Sequence, residues 1–383
     1  MNESTDQPTN DPTNQPTFQI GIDARLSGVR HGGIGRYIQN LILELLKLDN
    51  TSVKWHFFFF DEQQAKEVLG ASFNDSDLTV HYAPIRHYTL REQLSMPGIF
   101  SSINLDLLHI PHFNIPYFYS GKIVVTIHDL LWHEYQGSDV TTLPSWQYRF
   151  KHSAYKWLTG KAVKNAQQIF VPAETIKKIV TKYYPEVESK IVVTKEGVSP
   201  QFHIKKNAKK TNTKFLLYVG SLYPHKNITV VLDALQKLPD YQLILVGARD
   251  VFADKTLEEV KKKNLEQQVT FLGYQTDENI VELIQQAQAL IQPSLSEGFG
   301  LTGLEAMSAG GTVICSDIPI FKEIYQDGAI YFNPHDSLSF VKAVKNSESN
   351  KAELSKKSQH VVSQYSWKKM AEETLQSYFN ILQ

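Results

Sequence analysis

The chain of 383 residues contains one cysteine, Cys315. That excludes an intrachain disulfide framework and a cysteine-based zinc site, and it fits a reducing compartment. Neither sign of charge is in excess: 39 Lys and Arg stand against 40 Asp and Glu, for a formal net charge of -1. No global field draws such a chain to nucleic acid or to an acidic membrane, so any such binding must come from a local patch. No apolar run approaches the ~20 residues of a membrane-spanning helix; the densest, Val53 to Phe60, is short and holds Lys54 and His56. The opening MNESTDQPTNDPTNQPT places acids, prolines and asparagines where a signal peptide needs a basic start and an apolar core. Export is not expected, and residues 1–16, with almost nothing to bury, read as a disordered tail. Two catalytic signatures are missing as well. There is no G-x-S-x-G elbow, and the glycine loop HGGIGRY (His31 to Tyr37) supplies Gly32, Gly33 and Gly35 without the dinucleotide spacing G-x-G-x-x-G. Serine hydrolysis and nicotinamide redox chemistry lose support, and so does metal hydrolysis, because no metal-ligand spacing links His128 to a cysteine or a second acid pair.

What is present is enough apolar and aromatic sequence, 42% and 11%, to fill more than one core. At about 150 residues per domain, two or three domains are expected. From Phe18 the chain alternates short apolar runs with helical sequence: FQIGIDAR, VKWHFFFF, LDLLHIPH, KIVVTIHDL and QQIFVPA. After the polar stretch His203 to Lys214, which resembles a linker, a second series follows with FLLYVGSL, QLILVGARD, VTFLGY, ALIQPS, TVICSD and AIYFNP, again separated by helices. Strands alternating with helices, without hairpin signals, predict parallel sheets covered on both faces. The fold class is therefore α/β, with two doubly wound units and ligands beyond the carboxyl ends of their strands. The cleft between the units is the expected active site.

The densest chemistry lies in PSLSEGFGLTGLEAMSAGG, Pro293 to Gly311. A strand ends, the loop presents Glu297, Gly298 and Gly300, and a helix starting near Leu301 carries Glu305. Unpaired N–H groups at the start of a helix favour phosphate, and carboxylates beside them are suited to sugar or ribose hydroxyls. The plainer alternative is a glycine-rich turn with Glu297 capping the helix. In YVGSLYPHKN, Ser221 and Lys226 stand at the end of a strand, where a lysine can neutralise a diphosphate or simply be solvated. His128 and Asp129 follow another strand in TIHDLLWHE. From Val140 to Ala173 there is no Asp or Glu, while Arg149, Lys151, Lys156, Lys161 and Lys164 are interleaved with Trp146, Tyr148, Phe150, Tyr155 and Trp157. Such a stretch suits an anionic membrane surface or, equally, a solvated helix with an aromatic core face.

In this order, GIDAR…GGIGRY, TIHD, YVGSLYPHKN, LILVG, VTFLGY and the E-x7-E pair Glu297/Glu305 resemble the retaining nucleotide-sugar glycosyltransferases of family four over roughly residues 18–383, most of all bacterial mannosyltransferase-like members that build surface polysaccharides. The resemblance implies a GT-B fold of two Rossmann-like domains facing across a cleft. It implies an acceptor-binding domain over 17–204, a nucleotide-sugar domain over 205–365 and a last helix, 366–383, packing back on the first domain. It implies metal-independent transfer of a hexose, mannose favoured, from a GDP- or UDP-linked sugar to a saccharide or lipid-linked acceptor. No cofactor is implied, nor any nucleic-acid partner, and the expected location is cytoplasmic, with peripheral membrane contact through 146–164. By the same resemblance, Lys226 holds the donor diphosphate, Glu305 the ribose and Glu297 the hydroxyls of the transferred sugar. Phe299, Gly300 and Leu301 offer backbone to phosphate and sugar, Gly33 approaches the diphosphate from the other domain, and His128 lies near the sugar. One departure stands out: many relatives have an arginine where this chain has Ser221, so an additional basic partner such as Arg36 or Arg249 is expected. An epimerase, a phosphorylase or a non-catalytic sugar-nucleotide binder would share the architecture.

Overall fold

The computed structural model describes residues 17–48, 52–75, 78–135, 145–203, 214–248, 251–349 and 351–383. The expected tail 1–16, most of the expected linker and Arg249 lie outside the described residues. Thirteen strands are described: β1 Phe18–Asp23, β2 Val53–Phe59, β3 Leu78–Tyr82, β4 Leu107–Ile110, β5 Ile123–Thr126, β6 Gln168–Val171, β7 Ile191–Val193, β8 Phe215–Val219, β9 Gln242–Val246, β10 Val269–Gly273, β11 Ala289–Gln292, β12 Val313–Ser316 and β13 Ile330–Phe332. The helices of the first half are α1 Gly32–Lys47, α2 Glu62–Leu69, α3 Leu90–Ser101, α4 Leu131–Glu134, α5 Ser145–Asn165 and α6 Glu174–Tyr183. Those of the second are α7 Ile228–Leu235, α8 Val251–Lys262, α9 Asp277–Gln286, α10 Leu301–Ser308, α11 Pro319–Tyr325, α12 Ser337–Ser349, α13 Lys351–Val362 and α14 Trp367–Leu382.

The strands form two sheets, ordered β3-β2-β1-β4-β5-β6-β7 and β10-β9-β8-β11-β12-β13. Every paired register is parallel, as the alternation predicts. Because both faces are covered, the central strands are apolar without alternation: Phe57, Phe58 and Phe59 are all fully buried, as are Leu107 and Leu108. Each sheet starts in its middle, grows to one side, then resumes on the other. The order reverses between β1 and β4 in the first sheet and between β8 and β11 in the second. At such a reversal the connecting loops diverge and leave a crevice.

Helix α14 packs against α1 of the first half. Its Trp367, Met370, Ala371 and Tyr378 are buried, and Tyr378 shares its hydroxyl with Nδ1 of His109 on β4. The entry to this helix is tight: a Cβ on Gly197 would lie 2.1 Å from the backbone nitrogen of Trp367. Burying side chains of this size stabilises by about 1.5–3 kcal/mol each, so the last helix fastens to the first sheet although it follows the second in sequence. Among the described residues no helix is long and apolar enough to cross a membrane.

Candidate active site

At the reversal point of the second sheet, the loop after β8 meets the loop after β11. A 3-10 turn, Pro224–Lys226, ends in Asn227, which adopts a left-handed conformation (φ 57°). The side-chain amide of Asn227 donates to the carbonyls of Pro293 (3.0 Å) and Pro334 (2.8 Å), and the N–H of Leu295 donates to the carbonyl of His225 (2.8 Å). These bonds lock the two loops together and set Lys226 Nζ 2.6 Å from Glu297 Oε1, with Ser294 Oγ donating to the same oxygen at 2.7 Å. Both partners keep an opening to solvent, with side-chain exposures of 19% and 16%. Burial alone would raise the Glu297 pKa, but attraction to Lys226 and the bonds from Lys226 and Ser294 prevail, and it is held below the ordinary value. Glu297 does not cap the following helix. The N-cap of α10 is Gly300, left-handed at φ 96°, where a Cβ would collide with the Tyr325 hydroxyl that donates to the Gly300 carbonyl.

Glu305 lies one turn into α10 and has the opposite electrostatics. Burial pushes its pKa up to about 7; Arg36 opposes the shift, and Asp277 and Glu196 reinforce it. Arg36, from α1 of the first half, donates to both carboxylate oxygens of Asp277 and stands 3.2 Å from Glu305 Oε1. That oxygen nevertheless has no hydrogen-bond partner among the described residues. A buried carboxylate oxygen lacking a donor is costly unless a ligand supplies one. Arg36 thus reaches across from the first half to the second, and its charge is met by carboxylates.

The first half contributes a further group. His128, just past β5, has Nε2 3.3 Å from the Pro111 carbonyl and Nδ1 3.6 Å from Glu196 Oε1, and it packs edge-on to Tyr37 at 4.7 Å. The glycine loop of the second half presses directly on this segment: a Cβ on Gly298 would lie 2.6 Å from the His128 carbonyl oxygen. Two more bridges hold the halves, Tyr135 to the Leu295 carbonyl (3.1 Å) and Glu323 accepting from the backbone N–H groups of Glu174 and Thr175 (2.7 Å each) at the start of α6. His128, Lys226, Glu297 and Glu305 therefore all face one interface between the two sheets.

The remaining sequence candidates fall as follows. Phe299, Gly300 and Leu301 form the buried start of α10. Ser221 is half-buried, its carbonyl accepting from the Tyr218 hydroxyl. Gly33 is exposed in the first turn of α1, and a Cβ there would meet nothing within 4 Å. The sterically required glycine of that loop is Gly35, where a Cβ would lie 2.0 Å from the Gly28 carbonyl. Sequence reasoning missed Glu196 and Asp277. Glu196 stands in TKEG just past the short edge strand β7, so the carboxyl end of a strand was its only signal. Asp277 reads as an ordinary acid in the first turn of a helix.

Comparison with known proteins finds matches over both halves of the chain. The family described as Glycosyltransferase Family 4 matches residues 31–202, and the family described as Glycosyl transferases group 1 matches residues 200–368. The O-antigen chain mannosyltransferase RfbU of Salmonella typhimurium is 30% identical over 276 residues, 72% of this chain and 74% of that protein. Among solved structures, a sucrose-phosphate synthase from Thermosynechococcus elongatus superposes with a TM-score of 0.75 at 17% identity, covering 95% of this chain and 99% of that one. A glycosyltransferase from Rickettsia africae superposes with a TM-score of 0.70 at 18% identity, covering 96% and 99%. With two parallel-sheet Rossmann-like domains facing one another, both halves matched and that relative covered over most of its length, the chain belongs to the family-four glycosyltransferases and has the GT-B fold.

Proposed function

We propose that the protein moves a mannosyl group from a nucleoside diphosphate sugar to a hydroxyl of a saccharide or lipid-linked saccharide acceptor, with retention at the anomeric carbon and without a metal ion, in surface polysaccharide synthesis. The observation that carries this reading is the convergence of Lys226, Glu297 and Glu305 at the reversal point of the second sheet, with Glu305 Oε1 ion-paired to Arg36 but without a hydrogen bond among the described residues. The mannosyl assignment and the polysaccharide context are supported by the 30% identical relative, an O-antigen chain mannosyltransferase. In this reading the second domain, 205–365, binds the donor and the first, 17–204, the acceptor.

The residues divide the work by charge. Lys226 and the N-terminus of α10 stabilise the departing diphosphate, the role preorganised positive groups play where negative charge develops. Glu305, still lacking a donor on one oxygen, accepts from the ribose hydroxyls. Glu297, kept ionised by Lys226, accepts from hydroxyls of the transferred sugar. His128, steadied by Glu196 and the Pro111 carbonyl, lines the sugar from the first domain. The bond from the anomeric carbon to the diphosphate oxygen breaks while the acceptor oxygen bonds to that carbon on the same face, and the acceptor proton passes to the leaving phosphate. No protein nucleophile is required.

The test is turnover of GDP- and UDP-linked sugars with oligosaccharide acceptors, followed by NMR assignment of the new anomeric configuration. An α-linked product from an α-linked donor, formed equally in EDTA, is expected. An inverted product, or activity lost in EDTA and restored by magnesium or manganese, would overturn the mechanism. Free sugar, epimerised donor or phosphate-dependent cleavage as the only product would overturn the transfer itself.

A further inference from the structure

The first sheet has a reversal of its own, between β1 and β4, and the loops beyond it hold a cluster that the proposed transfer leaves unused. Tyr88, on the loop between β3 and α3, adopts a left-handed backbone (φ 62°) that a bulky aromatic residue enters only when its surroundings hold it there, and such strain gathers at ligand sites. Glu92 does the holding. Fully buried in the first turn of α3, it accepts from the Tyr88 N–H (2.7 Å) and the Asn114 amide (2.7 Å) on one oxygen and from Arg25 (2.9 Å) on the other. The Tyr88 ring nevertheless stays 64% exposed, leaning on His112 and Phe113 at centroid distances of 5.7 and 6.2 Å.

Its hydroxyl is set to donate. The Asn114 N–H donates to His112 Nδ1 (3.2 Å), so neutral His112 keeps its proton on Nε2 and gives it to the Tyr88 oxygen (3.1 Å); the Tyr88 O–H then has no acceptor among the described residues. His112 is neutral because burial, reinforced by His128 and His87, pushes its pKa well below the ordinary 6.5. A second polar group beside it also lacks a partner. His87, 10% exposed, has Nδ1 2.9 Å from Glu92 Oε1, and its Nε2 makes no hydrogen bond among the described residues. The cluster adjoins the glycine loop of the second domain: His128 bonds to the carbonyl of Pro111, the residue before His112, and a Cβ on Gly298 would lie 3.6 Å from the Asp129 Cβ.

We propose that this crevice takes the end of the acceptor as an uncharged sugar ring, with the Tyr88 hydroxyl donating to one of the sugar's oxygens. Charge selects a neutral saccharide over a phosphate or a uronate. Arg25, the buried cation of the cluster, is spent on Asp23 and Glu92. Asp129, one of whose oxygens accepts from the Leu131 N–H at 3.0 Å, adds a carboxylate that accepts from hydroxyls and repels anions. His31, at the start of α1, is kept neutral by burial and by His87, as His112 is by its own surroundings. Aromatic rings with a few convergent polar groups are the usual make-up of a small-ligand pocket. Arg86, exposed next to His87, is the cation that an anionic acceptor would need.

The proposal rests on the proposed transfer in that the first domain receives the acceptor. The test is saturation-transfer NMR and turnover of the full chain with methyl glycosides of mannose, galactose and N-acetylglucosamine, each neutral and phosphorylated on its primary hydroxyl, with GDP- and UDP-linked sugars as donors. A neutral glycoside should bind at least about tenfold more tightly than its phosphate. Tyr88→Phe, which keeps the ring, should raise the acceptor KM about three- to tenfold, the share of one neutral hydrogen bond, and leave nucleotide affinity in calorimetry as in the parent. Tyr88→Asn, whose side chain tolerates a left-handed backbone, should melt with the parent yet lose more than about tenfold in acceptor binding. The proposal is overturned by a Tyr88→Phe protein with the parent's KM, by a preference for phosphates that Arg86→Ala removes, or by the lack of saturation transfer from every glycoside at millimolar concentration. Saturation transfer that depends on Tyr88 without any turnover would remove the transferase reading and leave the sugar site standing. Turnover with a KM indifferent to both Tyr88 variants would remove the site and leave the transfer.

Discussion

Both domains place an ion cluster at the carboxyl end of their first strand, and the two clusters serve opposite ends. In the first domain Arg25 is sealed: it donates to both oxygens of Asp23 (2.8 and 2.6 Å), to Glu92 (2.9 Å) and to the Ile85 carbonyl (2.9 Å), with side-chain exposures of 0 to 2%. Asp23 is held below its ordinary pKa even though burial opposes this, because Arg25 attracts and hydrogen-bonds its carboxylate. In the second domain Lys226 and Glu297 remain partly open to solvent. The same doubly wound scaffold thus carries one charge group sealed from solvent and another open to it, and access separates them more than residue type does.

The comparison is broken most severely at its sealed end. Arg25→Ala leaves two buried carboxylates without their cation, and a loss of about 3–5 kcal/mol in unfolding free energy is expected. A loss below about 1 kcal/mol in urea unfolding would mean that the cluster is not a structural unit. The open end should respond in rate instead. Lys226→Ala should reduce turnover by about a hundredfold to a thousandfold, the range seen when one preorganised donor to developing negative charge is removed, while stability changes by about 1 kcal/mol or less because the pair is partly solvated. A destabilisation as large as that of Arg25→Ala would erase the distinction.

The smallest expected effect separates the two carboxylates of the E-x7-E pair. Hydrogen bonds to a charged group contribute about 1.5–3 kcal/mol, so Glu305→Gln should weaken donor binding roughly ten- to a hundredfold in calorimetry. For Glu305 the folded pKa, about 7, lies above the ordinary 4.5. Its protonated form therefore favours the folded state below pH 4.5, and that contribution is lost as the pH rises through 7. Glu297, shifted downward, behaves oppositely: its contribution is present above its ordinary value of 4.5 and lost as the pH falls through its lowered pKa. Donor affinity should accordingly increase from pH 6 to 8 in the parent, as Glu305 ionises and accepts from the ribose, and stay flat in Glu305→Gln. A parallel pH dependence in both proteins would assign the titration elsewhere.

Much of this was legible without coordinates because it is local. Short apolar runs with intervening helices set the parallel α/β class, and a strand followed by SEGFG and a helix placed Glu297 in a loop and Glu305 on α10. Only the short edge strands β3 and β7 escaped, since LTVHY and IVV bury too little for a distinct pattern. What the amino-acid order could not settle was the partners. Lys226 meets Glu297 from 71 residues away and Arg36 meets Asp277 from 241; His128 meets Glu196 across the first sheet's edge, and α5 buries Tyr148 and Tyr155 but leaves Trp146, Phe150 and Trp157 exposed. Local periodicity is dictated by backbone geometry within a few residues. Which charges end up paired, which are left without a donor and which face stays exposed depends on how two sheets and their loops pack, and tertiary structure alone decided those.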